Sequence, residues 1–404
     1  MAAHIFIPKH SPEVPEDKAG EIFATIAHFT GHKIAVLCKF RRMILLRIGY
    51  WLLCGISILA TVLPLVPSRH WSVRIFDYGR VQASVAVSLC LILYPWVTYG
   101  RPGMPLIPVL LMMCFIYNMR LLLPYSRLFH RPPVAPNAKQ APIRILTANV
   151  YQFHQQPQRF LEVVKQYDAD IVFTMESNKT WEKALQPLEA SYPYCHKVPQ
   201  ENTYGMHFYT RLEVESLEVK HFVAGDIPSI YARLRDHQGR LFSFYGVHPP
   251  PPSPTEEPNS LERDAELLAV ARHIRKKGGS TLVAGDFNNV AWSRSSQLFR
   301  KTSRLIDPRV GRGLIPTFHT EYRLLRIPID QLYHSADVFV QKLQRGPDFG
   351  SDHYPLYCEF VVCPESDAQV HRVEDIAANE KPEVAARIEE GKAEDSNRPS
   401  VATP

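Results

Sequence analysis

Three long apolar runs fill the stretch from residue 43 to residue 122, and beyond residue 142 the pattern changes to short apolar runs broken by polar turns. The first run, MILLRIGYWLLCGISILATVLPLVP (43–67), carries a single charge, Arg47, near its start. At about 1.5 Å per residue it can cross a hydrocarbon core. VQASVAVSLCLILYPWVTYG (81–100) and MPLIPVLLMMCFIYNM (104–119) follow, the last short and interrupted by Pro108. The pattern predicts a transmembrane region of about three helices over 43–122, after an N-terminal tail, 1–42. The first run is too long, and begins too far from Met1, for a signal peptide. A buried hairpin in a soluble domain is the weaker reading, because charge-free runs of this length are rare in soluble cores.

Past the apolar region, HRPPVAPNAKQAP (130–142) breaks helix, and 123–142 is expected to run as a Pro-rich linker. Residues 143–363 then alternate strand and helix. IRILTANV (143–150) and ADIVFTMES (169–177) read as buried strands on either side of an amphipathic helix, PQRFLEVVKQY (157–167). RLFSFYGVHPP, STLVAGDFN, PIDQLYHS and HYPLYCEFVV each read as a further strand. This is the pattern of an α/β domain. From 364 to 404 the chain is charged and short of aromatic residues, so a disordered or transiently helical tail is expected.

Charge adds an asymmetry. The net +6 divides into roughly +10 over residues 1–141, +1 over 142–363 and −5 beyond. A near-neutral domain argues against a strongly DNA-binding surface, and its one dense basic run, RHIRKK (272–277), reads as a solvated helix face. RVGRG (309–313) and EYRLLRIP (321–328) bring arginines close in sequence to Asp330, where they could clamp a phosphate. KFRRM (39–43) favours a cytoplasmic N-terminus, although Arg69, Arg74, Arg80, Arg120, Arg127 and Arg131 weaken the bias. With three spans the α/β domain would lie outside the cytoplasm, and with two or four it would be cytoplasmic. Four of the seven cysteines lie in or beside the apolar runs, and Cys195, Cys358 and Cys363 have no metal-like spacing.

Polar groups collect at the strand ends. Asn149, Glu176, His248, Asp286 and Asn288 follow strands, while Asp330 and the pair Asp352 and His353 flank two more. Such a collection is costly unless it converges on something wet and charged. Asn149 or Asn288 alone is commonly a turn former, whereas Glu176, closing DIVFTME, needs a cation or a donor. Metal-assisted hydrolysis of a phosphate ester uses the whole set. A hard divalent cation, Mg²⁺ with Mn²⁺ as the alternative, suits Glu176 and Asp352. Asp286 with Asn288 can orient and deprotonate a water; His353 could instead be that base, or hold phosphate as imidazolium with Asp330 fixing its tautomer.

The ordered series TANV, TMES, YGVHPP, GDFNN, PIDQLY and GSDHYPL resembles the endonuclease/exonuclease/phosphatase superfamily over residues 143–362. The resemblance implies a deoxyribonuclease I-like four-layer α/β sandwich and a metal-dependent phosphoric ester hydrolase. It implies Glu176 as the main metal ligand, Asp352 as an accompanying one, and Asn149 beside them on metal or phosphate. Asp286 and Asn288 match the pair that positions the attacking water and contacts phosphate, and Asp330 and His353 match the Asp–His pair. His248 matches a position near the leaving group or a phosphate oxygen. TMES lacks the Gln that often precedes the Glu, and Gln331 stands where many members have His; these departures touch substrate contacts rather than catalysis.

The anchor followed by this domain is similar to a bacterial membrane-bound subgroup, which implies an inner-membrane protein with a periplasmic catalytic domain. The expected substrate is a phosphodiester, of nucleic acid or lipid headgroup, cleaved in a nuclease-like way. A phosphomonoesterase or lipid-headgroup phosphodiesterase is the alternative, and a catalytically silent membrane-tethered binding protein is a third. No protein partner follows from the sequence.

Overall fold

The computed structural model describes residues 16–99, 105–128, 140–154 and 156–394. The N-terminal part is helical: α1 (Glu16–Val62), the short α2 (Trp71–Tyr78), α3 (Arg80–Thr98) and α4 (Leu106–Leu122). The segments Val36–Leu65, Arg80–Thr98 and Leu106–Tyr125 are long and apolar enough to cross a membrane. Pro108 does not interrupt the third, because it falls in the first turn of α4, where a backbone N–H has no helical partner. Cys54, Cys90 and Cys114 are buried between the three helices, small side chains that let the backbones approach.

Two arginines that blur the charge bias are used inside the protein. Arg74 Nη2 donates to the carbonyls of Pro64 (3.1 Å) and Val66 (2.7 Å), covering the end of the first apolar segment. Arg80 Nη1 donates to the Thr61 carbonyl (2.8 Å) and to Asn118 Oδ1 (3.1 Å), joining all three helices at the end nearest the α/β domain. Residues 129–139, most of the expected linker, lie outside the described residues. Its expected start is instead a 3-10 turn, Leu123–Tyr125, whose Tyr125 ring packs 6.0 Å from that of Trp292.

The α/β domain begins with β1 (Ile143–Asn149), α5 (Pro157–Tyr167), β2 (Ile171–Met175), α6 (Lys179–Ala184), β3 (Tyr194–Val198) and β4 (Met206–Thr210). It continues through β5 (Val214–Lys220), β6 (Ser229–Arg235), β7 (Leu241–Val247), α7 (Leu261–Lys277), β8 (Thr281–Asp286) and α8 (Arg294–Ser303). β9 (Asp330–His334), β10 (Val338–Arg345) and β11 (Leu356–Val362) complete two sheets. One has the order β10-β11-β1-β2-β4-β3, the other β5-β6-β7-β8-β9. Each has one parallel pair near its centre, β1 with β2 and β7 with β8, and the remaining pairs are antiparallel.

The inner faces of the sheets share a core that includes Phe173, Phe208, Phe244 and Leu282. Gly246 marks the tightest approach: a Cβ there would lie 2.6 Å from Phe173 Cζ. Outside, α5 and α6 cover one sheet through Phe160 and Trp181, and α7 and α8 cover the other through Leu267 and Phe299. The result is the four-layer α/β sandwich, and the ends of both central parallel pairs carry the polar groups picked out above.

The acidic tail, expected to be disordered or transiently helical, holds a packed helix. This helix, α9 (Lys381–Lys392), packs on α7 and α8, burying Val384 and Ile388 with Leu268 and Leu298. Its charges are paired instead of solvated: Glu380 meets Arg294 and Lys301, and Arg387 meets Asp264 at 2.8 Å. Composition alone could not reveal these partners, which stand on distant helices. Residues 395–404 lie outside the described residues. Ile388→Ala is expected to cost about 2 kcal/mol, the low end for a buried aliphatic, and to lower the thermal midpoint of the detergent-solubilised chain. An unchanged midpoint would show that α9 does not contribute a packed face.

Candidate active site

Strand ends deliver the polar residues to one place. In β8 the chain must turn at Gly285, whose φ of +154° and whose missing Cβ, which would fall 1.9 Å from the Val247 carbonyl oxygen, admit only glycine. Asp286 follows, paired in register with Asp330 of β9. Asn288 then sits at φ +46°, and Glu176, just beyond β2, at φ +59°. Two non-glycine residues held in the left-handed region at one site are strain that the surrounding bonds must maintain.

Those bonds are specific. Asn288 N donates to Asp286 Oδ1 at 2.8 Å, and Asn288 Nδ2 to the Pro249 carbonyl at 3.0 Å. Asn149 Nδ2 donates to Glu176 Oε1 at 2.8 Å and to Asp286 Oδ2 at 3.3 Å, bridging the two sheets. The Gln152 N–H reaches Glu176 Oε2 at 3.2 Å. His353 Nδ1 bonds Asp330 Oδ2 at 2.8 Å, and its Nε2 stands 3.7 Å from Asp286 Oδ2. His248 Nε2 approaches the same oxygen at 3.8 Å. Ser351 Oγ donates to the Asn149 carbonyl and accepts from His353 N, tying the last motif to the first.

All eight sequence-selected residues therefore meet at the joint edge of the sheets, and six of them line a cavity of about 470 Å³, with Asn149 behind Glu176 and Asp330 behind His353. The arginines proposed as phosphate clamps do not join them. Arg309 is buried in a two-bond contact with Asp307 (2.9 and 2.8 Å) and reaches Gln331, and Arg312 donates to the Pro308 carbonyl. Both are turned to internal acceptors, Arg309 keeping only a buried Nη1 without a partner among the described residues, and Arg323 and Arg326 line a neighbouring groove instead of this cavity.

The electrostatics follow from burial. Burial, with Asp330 opposite, raises the Asp286 carboxyl above its ordinary value. Burial, reinforced by Asp352, pushes Glu176 up to about 7. For His353 burial acts downward, yet the facing Asp330 and Asp286 outweigh it and push the imidazole up to about 10. Burial holds His248 down, at about 4, so it is neutral near pH 7. Four carboxylates thus face one imidazolium, a negative excess that a divalent cation would offset. The donor set fits such an ion: Glu176 and Asp352 supply hard oxygens, and His248 Nδ1 is buried without a hydrogen-bond partner among the described residues. The tight group of Asp286, Asp330 and His353, with atoms within 4.8 Å, is less suited to it, because His353 Nδ1 is engaged by Asp330.

The sequence profile of the Endonuclease/Exonuclease/phosphatase family matches residues 146–353, just over half of the chain. The chain belongs to this family. It is an α/β-sandwich hydrolase of phosphoric esters, of a superfamily whose members depend on divalent metals. Among solved structures it is similar to a D. rerio TDP2 humanized by 14 mutations, at 15% identity, with 55% of this chain and 100% of that one covered and a TM-score of 0.47. It is also similar to the human Nocturnin catalytic domain with bound sulfate (17% identity, 55% and 94% covered, TM-score 0.45). A family protein from Bacteroides thetaiotaomicron gives 16%, 56% and 96%, and 0.44. A comparison with curated proteins finds no match.

Sequence reasoning missed the residues that hold the loop after Asp286. Tyr78 of α2 donates to the Asn288 carbonyl at 2.7 Å, and Arg263 of α7 donates to the same oxygen at 3.1 Å. Asp77 receives Trp292 Nε1 on its carbonyl at 2.7 Å. The WSVRIFDY stretch carries no signal of this alone, because its partners lie some two hundred positions away.

The shift at Glu176 has a stability consequence. A carboxyl raised on folding contributes stability below its unfolded value, near 4.5, and loses it as pH rises through about 7. In EDTA, Glu176→Gln is therefore expected to match the parent near pH 4.5 and to exceed it at pH 8 by on the order of 2 kcal/mol. Thermal midpoints across that range check this, and parallel curves would contradict it.

Proposed function

We propose that this chain is a membrane-anchored phosphodiesterase, with residues 43–122 as its membrane region and 143–363 as its catalytic domain, acting through a divalent cation and an activated water. The observation that carries the reading is the setting of Asp286. Its Oδ1 is fixed by the Asn288 N–H, and its Oδ2 faces Asn149, His353 and His248. A buried carboxyl with a raised pKa is a stronger base than one in water, so Asp286 takes the proton of the attacking water while Asn288 helps to place it.

His353, held as imidazolium by Asp330, offers Nε2–H to a phosphoryl oxygen as charge grows there. His248, neutral, serves as a hydrogen-bond partner to the leaving oxygen or phosphate and not as a proton reservoir. Glu176, with Asp352 and Asn149, would hold the cation, Mg²⁺ or Mn²⁺, on oxygen ligands. When bound, it neutralises charge on the phosphoryl group.

The membrane reading rests on the three apolar helices. The end of the first segment, the start of the second and the end of the third all face the α/β domain, as the bonds of Arg69, Tyr78 and Tyr125 require. An odd number of spans puts the basic cluster Lys39, Arg41 and Arg42 on the opposite side, which favours a domain outside the cytoplasm, periplasmic in a bacterial inner membrane.

Detergent-solubilised full chain is expected to hydrolyse bis(p-nitrophenyl) phosphate with Mg²⁺ or Mn²⁺ and to stop in EDTA. Asp286→Asn should lower kcat on the order of 10²- to 10⁴-fold. Undiminished turnover in that variant would place the base elsewhere. Preference for p-nitrophenyl phosphate would make the enzyme a phosphomonoesterase.

A further inference from the structure

The catalytic cavity is bounded on one side by the helical N-terminal region. Its wall includes Trp71, Ile75 and Tyr78 of α2, and none of the described residues lining it is Lys or Arg. A nucleic acid presents a row of phosphates that a binding groove must meet with several cations, and apart from the single His353 imidazolium at the reacting phosphate the described lining offers none. Its charged groups are the catalytic carboxylates, the His353 imidazolium and Glu256; most of the remainder is aromatic, aliphatic or proline.

A second, mostly apolar groove of about 610 Å³ adjoins it and shares Tyr78 and Ile327 with it. Three arginines also line it, of which Arg326 donates to the Thr320 carbonyl and Arg345 to the Pro316 carbonyl, leaving Arg323 at its rim. One side of this groove is membrane helix, with Leu53 of α1 and Val81, Val85 and Leu89 of α3. The other side is the 314–328 segment. Gln82 Nε2 donates to the Leu324 carbonyl at 2.9 Å, which fixes that segment against the first turn of α3. Its tip exposes apolar side chains: Leu324 is 86% and Leu325 63% accessible. If α3 spans a bilayer, a tip beside its first turn would sit near the headgroups, where exposed leucines are stable and Arg323 stays hydrated. Ile327 connects the groove to the chemistry, since it pairs with Phe318, whose ring packs 4.8 Å from that of His353.

We infer that the substrate is an amphiphilic phosphodiester taken from the bilayer, its apolar chain lying between α3 and the 314–328 segment and its phosphate reaching Asp286. This rests on the phosphodiesterase reading above. The occupant follows from continuity: a groove walled by a bilayer-spanning helix at one end and by catalytic imidazole at the other fits a molecule that is apolar at one end and anionic at the other. The reaction balances as a hydrolysis. Water oxygen bonds to phosphorus, its proton passes to Asp286, the ester P–O bond breaks, and the departing oxygen takes a proton from solvent.

The test uses the full chain in phosphatidylcholine vesicles with Mg²⁺ and a series of p-nitrophenyl alkyl phosphodiesters, methyl, octyl and hexadecyl, with single-stranded DNA as competitor. We expect kcat/KM to rise at least 100-fold from methyl to hexadecyl and DNA not to compete. Longer chains also partition into vesicles, so the decisive variant is Val85→Trp, which fills the groove from an exposed position. It should remove most of the gain for hexadecyl and leave the methyl ester unchanged, and Leu324→Glu should act likewise. Turnover independent of chain length, equal loss on both esters in Val85→Trp, or strong competition by DNA would overturn the amphiphile and leave the phosphodiesterase standing. Silence on every ester would overturn both.

Discussion

Negative charge buried at the joint edge of two sheets is the constraint on which the rest of the structure depends. Asp286 and Asp330 stand opposite each other in register, and Glu176 and Asp352 face them from the other sheet. Left alone, such a group would be driven toward protonation or apart. It is held by a few directional bonds, above all Asn149 Nδ2 between Glu176 and Asp286 and His353 Nδ1 on Asp330. The same crowding that costs stability gives Asp286 its basicity and leaves room for a cation's charge, which is a recurrent relation between strain and catalysis.

The helical N-terminal region is more than an appendage. Tyr78, from the loop between the first two spans, and Arg263 both grip the Asn288 carbonyl. Arg263 is in turn held by Asp264, which Arg387 of α9 also contacts. Supported through Asp264 by the C-terminal helix, α2 and α7 therefore meet on one backbone oxygen. Its neighbour, Asn288 N–H, fixes the orientation of Asp286.

Much of this was legible in the chain, and the divisions have physical causes. Buried strands such as Ile171–Met175 are continuous apolar runs ended by a polar residue, so both strand and site residue can be read locally. The apolar helices announce themselves by length alone. What stayed hidden depends on distant partners. The tail looked disordered because Glu380 and Arg387 have their counter-charges on α7 and α8. Arg309 looked available because Asp307, only two residues earlier, could as well have been a turn former. Tyr78 gave no local sign, because its partner, the Asn288 carbonyl, is 210 positions away.

Binding of a paramagnetic cation tests the central claim most directly. Mn²⁺ titrated into the full-length chain and followed by electron paramagnetic resonance, with the thermal midpoint recorded alongside, should show saturable binding and a stabilised fold. Both should weaken markedly in Glu176→Gln. Binding and midpoint unaffected by that substitution, or no uptake of Mn²⁺ at all, would contradict the view that the buried carboxylates are organised around a divalent ion.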